Sequence, residues 1–269
     1  MADVLRAAGL NVIEEQGRSK TNGQMIPWQG FGRSSNSPYA NGRPTAVMVH
    51  HTASNTSAAN DVAYCNVNSD IRPLTNLYAA RNGDIHVCAG GPSNTNGEGA
   101  DTWGGGVPVD SMNAYAIGIE IANTGVGEPY PTEQQGAVLL TVRALCSAYG
   151  ISASNVRAHF EWAPSRKIDP KGPSHWTDGL NELWDMDAFR ADVAATTEPP
   201  PPDDEDDDMM QWVWTHEDGD KPGAYWVTGG SVVHLDGPMR DHLISLGVPH
   251  HVSSNDDVWR SYKAVAEGL

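Results

Sequence analysis

The stretch TAVMVHH, residues 45–51, decides the fold class of this chain. Its apolar, β-branched-rich run ends in two histidines, which is typical of a buried strand that delivers polar side chains at its carboxyl end. A second run, AIGIEIAN (residues 116–123), places alternate isoleucines on one face and Glu120 on the other. Two strands of this kind predict a central sheet with Glu120 on an inner strand.

The segments around these strands complete an α/β pattern. The runs NLYAA and DIHVCA flank Arg81-Asn82-Gly83, and Asn-Gly between alternating residues predicts an antiparallel hairpin. Thr132 opens a capping-box pattern with Gln135, so we expect a long helix that ends at Gly150. Shorter helices are predicted in residues 3–8, 56–65 and 186–195, and extended loops in residues 17–24 and 30–44. The whole pattern predicts an α/β fold with a mixed β-sheet flanked by helices.

An acidic, proline-rich segment divides the chain. The stretch TTEPPPPDDEDDD begins at Thr196 and has no apolar residue to bury, so it is predicted to be a linker. We therefore expect one domain in residues 1–195, a linker in 196–209 and a second domain in 210–269. In the second domain the runs QWVWT, AYWVTG and SVVHLD predict strands and MRDHLISLG a helix, which together indicate a small α+β unit.

Composition excludes several classes of partner. Lys and Arg number 17 against 34 Asp and Glu, for a net charge of −17 over 269 residues. Without a stripe of clustered cations, we expect neither nucleic-acid binding nor attachment to anionic lipid. The amino-terminal segment lacks the unbroken apolar run of a signal peptide or membrane span, so a soluble protein without membrane insertion is predicted. Cys65, Cys88 and Cys146 are interpreted as core residues, with a Cys65–Cys88 bridge left open.

Three residues form a suitable ligand set for a catalytic zinc ion: His50, His159 and Asp169. Three protein ligands leave one tetrahedral position for water, whose pKa the metal lowers to about 7, and this chemistry would give a hydrolase. Spacing alone does not choose between His50 and His51, because adjacent positions of a strand face opposite sides. A single histidine at a strand end is also more often an ordinary hydrogen-bonded residue than a ligand.

Two further residues have a chemical role in this hypothesis. Glu120 on an inner strand could take a proton from the attacking water, and Lys167 could stabilise the oxyanion that develops on a scissile carbonyl. The alternatives are a half-exposed glutamate on an edge strand and a solvated lysine.

Several motifs together resemble one family. VMVHHTAS (residues 47–54) and HFEWAPSRKIDP (residues 159–170) resemble the zinc-dependent N-acetylmuramoyl-L-alanine amidases of the amidase-2 family, which share a fold with peptidoglycan recognition proteins. The GIE of the second strand and the hairpin NLYAARNG fit the same family, so the resemblance covers residues 10–194. It implies that peptidoglycan is cleaved at the amide between N-acetylmuramic acid and L-alanine.

The resemblance also implies the roles of individual residues. The zinc ligands are His50 rather than His51, His159 and Asp169. Glu120 acts on the water and Lys167 stabilises the transition state.

The chain departs from the family pattern at three places. Thr75 stands where some relatives carry a catalytic tyrosine, and Ser165 stands where a glycine is usual. The loop SNTNGEG lacks the histidine that many relatives have after the hairpin, so a substrate contact there is lost or replaced by Asn94 or Asn96. We further predict that Trp103, Trp162 and Trp176 line an open groove for glycan and stem peptide.

The modular layout resembles endolysins of phages that infect actinobacteria. Such enzymes wait in the host cytoplasm and reach the cell wall through a holin pore, and residues 210–269 would then bind the wall. The alternative for this segment is an oligomerisation or solubilising domain. Two rival functions remain: a peptidoglycan recognition protein without catalysis, and a zinc peptidase that cuts within the stem.

Overall fold

The computed structural model describes residues 1–33 and 38–195, together with the backbone of four strands farther along the chain. The chain divides into two compact units, residues 1–196 and 197–269. The helices of the first unit are α1 (Ala2–Ala7), α2 (Ala58–Ala63), α3 (Thr132–Tyr149), α4 (His159–Trp162) and α5 (Met186–Ala194). Its strands are β1 (Val12–Glu14), β2 (Gln16–Arg18), β3 (Met25–Pro27), β4 (Ala46–His51), β5 (Leu77–Ala79), β6 (Ile85–Val87), β7 (Ala116–Ile121) and β8 (Val156–Ala158).

Six of these strands form one mixed sheet in the order β1-β6-β5-β7-β4-β8. The β5–β6 hairpin is its antiparallel pair, whereas β5, β7, β4 and β8 run parallel to one another and β1 runs parallel to β6. In this register Glu120 is paired with His50 on one side and with Tyr78 on the other. The carboxyl ends of the central strands therefore bring polar side chains to one edge of the sheet.

The core explains why β4 and β7 lie at the centre. Val47 and Val49 on one face of β4 are fully buried in a cluster that includes Val142 and Leu145 of α3. Met48 faces the other way and packs in a second cluster with Trp162. Each such side chain contributes roughly 1.5–3 kcal/mol through the apolar surface that it removes from water. Because both faces of β4 are covered, the strand is almost continuously apolar until its terminal histidines.

The predicted α/β class with a mixed sheet flanked by helices is confirmed, as are the hairpin and the left-handed glycine that ends α3 at Gly150. The helix start is corrected by one residue. Pro131 is the N-cap, the Thr132 side chain caps nothing, and Gln135 donates its side-chain amide to the Tyr130 carbonyl. The predicted loop at residues 17–24 overlaps the end of β2, which pairs with β3 in a two-stranded sheet that the sequence did not predict.

The three cysteines of the first unit are free thiols, so the Cys65–Cys88 bridge that the sequence left open is not formed. Both of these thiols are buried, as expected for core residues. Within the described residues, no helix combines the length and apolar character needed to span a bilayer.

The second unit contains a four-stranded sheet in the order β11-β10-β9-β12. Its strands are β9 (Gln211–His216), β10 (Gly223–Thr228), β11 (Ser231–Leu235) and β12 (His250–Ser253). The first three coincide with the predicted runs, whereas β12, which pairs parallel with β9, was not predicted. The predicted linker at 196–209 and the predicted helix MRDHLISLG lie outside the described residues.

Candidate metal centre

Three buried side chains converge at the carboxyl edge of the main sheet. His50 ends β4, His159 opens α4 immediately after β8, and Asp169 follows ten residues later. The two Nδ1 atoms lie 2.8 Å apart, and the Asp169 Oδ2 atom lies 3.2 Å from that of His50 and 3.0 Å from that of His159. The three residues are 1%, 3% and 8% exposed. The structure thus brings together the three residues that the sequence suggested as ligands.

The proton inventory of this cluster shows that a cation fits it. The His159 Nε2–H donates to the Asn96 carbonyl oxygen at 2.9 Å, and the His50 Nε2–H donates to the Asn96 side-chain oxygen at 3.0 Å. Since a neutral imidazole carries one proton, both Nδ1 atoms are left as lone-pair acceptors beside a carboxylate. Three acceptors this close repel one another unless a positive charge lies between them, and two nitrogens with one oxygen suit Zn²⁺.

Asn96 is a functional residue whose role the sequence did not reveal. It was considered only as a substrate contact, yet it is fully buried and holds both imidazoles from behind. Its own backbone N–H donates to the Asn113 side-chain oxygen at 2.8 Å, which fixes the loop. No sequence pattern marks this role, because one of its two bonds uses a backbone carbonyl.

Glu120 lies beside the three acceptors on the neighbouring strand β7. Its Oε2 atom is buried without a hydrogen-bond partner among the described residues. Burial raises the pKa of the Glu120 carboxyl, and the nearby Lys167 ammonium opposes that rise. A carboxyl that is desolvated, unpartnered and close to a cation is suited to accepting and returning a proton.

A cleft of about 660 Å³ opens above this cluster, and Glu120, His159, Lys167 and Asp169 are among the residues that line it. Asn94 also lines the cleft, while its side-chain amide donates to the Ile71 carbonyl oxygen at 2.6 Å. The rim carries exposed apolar side chains on three separate loops: Ile71, Val126 and Ile168. The cleft can therefore hold an extended ligand that has both polar and apolar groups.

The prediction that three tryptophans line the groove is corrected. Trp162 is fully buried beneath the site, where its indole N–H donates to the Gly97 carbonyl. Trp176 is 4% exposed and packs with Trp184 and Phe189 in an aromatic cluster of the core. Trp103 packs edge-on against Trp162 and lies under the guanidinium of Arg157, outside the cleft. Their apolar surface is used in packing, which composition alone does not distinguish from ligand binding.

His51 and Thr75 have other contacts. His51 is not one of the three converging residues, and its Nδ1 accepts the Lys171 backbone N–H at 3.3 Å. Burial lowers the pKa of His51 to about 4, so this imidazole is neutral near pH 7. Thr75 is fully buried and donates its hydroxyl to the carbonyl oxygens of Leu77 and Gly118, so it takes no part in the site.

Comparison with known proteins agrees with the sequence motifs. Residues 40–172 match the family model Amidase_2, described as N-acetylmuramoyl-L-alanine amidase. No curated protein matches the chain at the significance required.

Solved structures of similar proteins align with about half of the chain or somewhat more. A selenomethionine derivative of AmpD aligns at 23% identity and a TM-score of 0.42, over 56% of this chain and 85% of that one. The amidase LysC from Clostridium intestinale aligns at 17% identity and 0.39, over 57% and 87%. AmiD from E. coli, in complex with anhydro-N-acetylmuramic acid-L-Ala-D-gamma-Glu-L-Lys, aligns at 20% identity and 0.36, over 58% and 60%. Residues 40–172, just under half of the chain, are thus similar to the Amidase_2 family.

Proposed function

We propose that this protein is a zinc-dependent N-acetylmuramoyl-L-alanine amidase that hydrolyses the amide between N-acetylmuramic acid and the L-alanine of the peptidoglycan stem. The observation that carries the proposal is the set of three buried acceptors, the Nδ1 atoms of His50 and His159 and the Asp169 carboxylate, at the base of a cleft. The Amidase_2 match over the same residues supports it.

The side chains of the cleft have three separate roles in hydrolysis. His50, His159 and Asp169 would hold Zn²⁺, which would supply Lewis-acid chemistry for a carbonyl and for water. Glu120 accepts the proton of the attacking water and delivers it to the leaving L-alanyl nitrogen, a role suited to its raised pKa. The Lys167 ammonium stabilises the negative charge that develops on the carbonyl oxygen.

This division of roles explains how the chain can function with Thr75 at the position where some relatives carry a catalytic tyrosine. The hydroxyl of Thr75 is committed to two backbone carbonyls, so charge stabilisation falls to Lys167. Asn96 keeps both imidazoles in the tautomer that leaves Nδ1 free.

We further propose that the protein is an endolysin of a bacteriophage, which acts on the wall after holin-dependent release from the host cytoplasm. The second unit then holds the enzyme at the insoluble wall and raises the local concentration of active sites. Expression in a host with and without a holin tests the route: lysis is expected only with the holin, and rapid lysis without one would contradict it.

One experiment separates the amidase from its two rivals. The full-length protein with bound metal quantified is incubated with purified walls, and the new amino termini are identified. We expect one equivalent of zinc and free L-alanine amines on intact stems. New termini within the stem would indicate a peptidase, and wall binding without new termini would indicate a recognition protein.

A matched pair of histidine variants tests the site itself. His159→Ala is expected to lose zinc and activity, because it removes one of the three acceptors. His175→Ala is the control, since that side chain is 72% exposed and pairs with Asp192 away from the cleft. Full activity of His159→Ala without bound metal would contradict the mechanism.

A further inference from the structure

The cleft carries a charge opposite to that of the chain. Arg166, Lys167 and Lys171 line it, whereas its acidic lining residues are Glu120 and Asp169. Both acids already have roles in the proposed mechanism. None of the three cations lies within ion-pair distance of a carboxylate in the described part of the chain. Because the protein has a net charge of −17, this cationic lining makes the cleft a local site that attracts anions.

The three cations differ in what they already bind. Lys167 serves the reacting carbonyl in the proposed mechanism. The Arg166 guanidinium lies against Gly97 and donates to the Glu98 carbonyl, so it is held at the lip of the cleft with further N–H groups to spare. The Lys171 side chain has no hydrogen bond among the described residues.

The backbone of Lys171 is fixed even though its side chain has no bonding partner. Its N–H donates to His51 Nδ1 at 3.3 Å, and its carbonyl oxygen accepts the Tyr130 hydroxyl at 3.2 Å. An isolated bridge to Leu183 holds the same residue from the other side. A fixed backbone presents the ammonium from a constant place, and this pre-organisation favours binding of a specific group.

The chemistry of the substrate supplies the matching anion. A stem peptide that begins L-alanyl-D-γ-glutamyl carries a free α-carboxylate one residue beyond the scissile amide, and amidation to isoglutamine removes that charge. One residue spans about 3.5 Å, so this carboxylate stays within a cleft of about 660 Å³ when the amide lies at the three acceptors. We infer that Lys171, assisted by Arg166, binds a free carboxylate of the stem, so that the enzyme prefers acidic stems to amidated stems. This inference rests on the proposed function.

Two synthetic substrates test it: N-acetylmuramoyl-L-alanyl-D-isoglutamyl-L-lysine and its isoglutamine counterpart. With the zinc-loaded full-length protein, kcat/KM is expected to be about five- to tenfold higher for the acidic compound, through KM. Lys171→Gln should abolish that preference by raising KM for the acidic compound alone, and Lys171→Arg should retain it. Binding of the two compounds to the metal-free protein is expected to show the same order of affinity.

Lys20→Gln is the control, because it removes a lysine from a separate cavity of the same unit. Equal cleavage of both compounds by the wild type, or a preference that survives in both Lys171→Gln and Arg166→Gln, would overturn the inference and leave the amidase proposal intact. If the zinc-loaded wild type releases L-alanine amines from neither compound nor from walls, the amidase proposal itself fails. The wild-type ratio of kcat/KM for the acidic and the amidated compound tests the inference even if a variant does not fold.

Discussion

Two buried aspartates in the first unit have the same exposure and opposite surroundings. Asp61 and Asp169 are each 8% exposed. The Asp61 carboxylate accepts the hydroxyls of Ser54 at 2.7 Å, Thr56 at 2.6 Å and Tyr78 at 3.0 Å. Asp169 meets two imidazole nitrogens that have no proton to give. Burial therefore does not distinguish a structural carboxylate from a metal ligand, whereas the balance of donors and acceptors around it does.

The largest contrast is expected when each aspartate is replaced by alanine. Asp169→Ala should lose stoichiometric zinc and reduce kcat/KM on peptidoglycan by at least about a thousandfold, since Lewis-acid chemistry contributes several kcal/mol to the barrier. Asp61→Ala should keep its zinc, because its contacts are hydroxyl groups. Metal analysis and amidase assays on the two purified variants make the measurement. Loss of zinc in Asp61→Ala, or its retention in Asp169→Ala, would remove the distinction between the two carboxylates.

Asn96 provides a finer test of the metal-binding side. Asn96→Ala removes the acceptor of the His50 Nε2–H but leaves the backbone carbonyl that orients His159, so one imidazole loses its tautomer control. Loss of such an outer contact lowers metal affinity by about 10- to 100-fold. Zinc affinity is measured by competition with a chromogenic chelator.

Asn96→Asp is the matched variant for this prediction. It retains an acceptor for His50 and removes the side-chain N–H group that has no partner among the described residues, so zinc affinity should be kept. Wild-type affinity in Asn96→Ala would show that the Asn96 side chain does not control the His50 tautomer.

The main elements could be predicted from sequence because each has a local pattern. The apolar runs of β4 and β7, the Asn-Gly hairpin and the glycine after α3 all indicate their structure within a few residues. The short strand β1 could not be found in this way, because its three residues pair with β6, more than seventy positions later. Strands of this kind depend on tertiary contacts rather than on periodicity.

The candidate site divides in the same way. The ligand set followed from a resemblance, since spacing alone left His50 and His51 equal, and the register of β4 now separates them. The tryptophans were placed wrongly because an indole serves equally well in a core and in a groove. Asn96 was missed because its contacts arise only when the 93–99 loop folds behind both histidines.

The next expected effect is a loss of thermal stability when the Asp61 cluster is broken. This cluster consists of Asp61 and the hydroxyl groups of Ser54, Thr56 and Tyr78. Asp61→Ala removes the acceptor shared by three hydroxyl groups; those of Ser54 and Thr56 can still bond to each other, whereas the enclosed Tyr78 hydroxyl loses its partner. Buried donors without partners cost about 1–3 kcal/mol, which corresponds to a fall in Tm of roughly 3–10 °C for a unit of this size. Scanning calorimetry of the zinc-loaded protein provides the measurement. Asp3→Ala is the control, because that aspartate is exposed in α1 and pairs with Arg6 at the surface, and the Tm of this variant should change by less than about 2 °C.

The smallest expected effect concerns the thiol beside the Asp61 cluster. Burial raises the pKa of the Cys65 thiol, and the nearby Glu120, Cys88 and Asp61 raise it further, so little reactive thiolate forms near pH 8. A disulfide reagent should therefore titrate three thiols in the unfolded protein and react only slowly with the native one. The native rate should come from Cys146, whose burial is less complete and raises its pKa to about 11.

Asp61→Ala should increase the reaction rate of the Cys65 thiol severalfold, because the Asp61 cluster opens more often in this variant, whereas Asp169→Ala should leave that rate unchanged. Fewer than three thiols after unfolding would reveal a disulfide, and an equal acceleration in both variants would show that the two carboxylates share one cooperative unit.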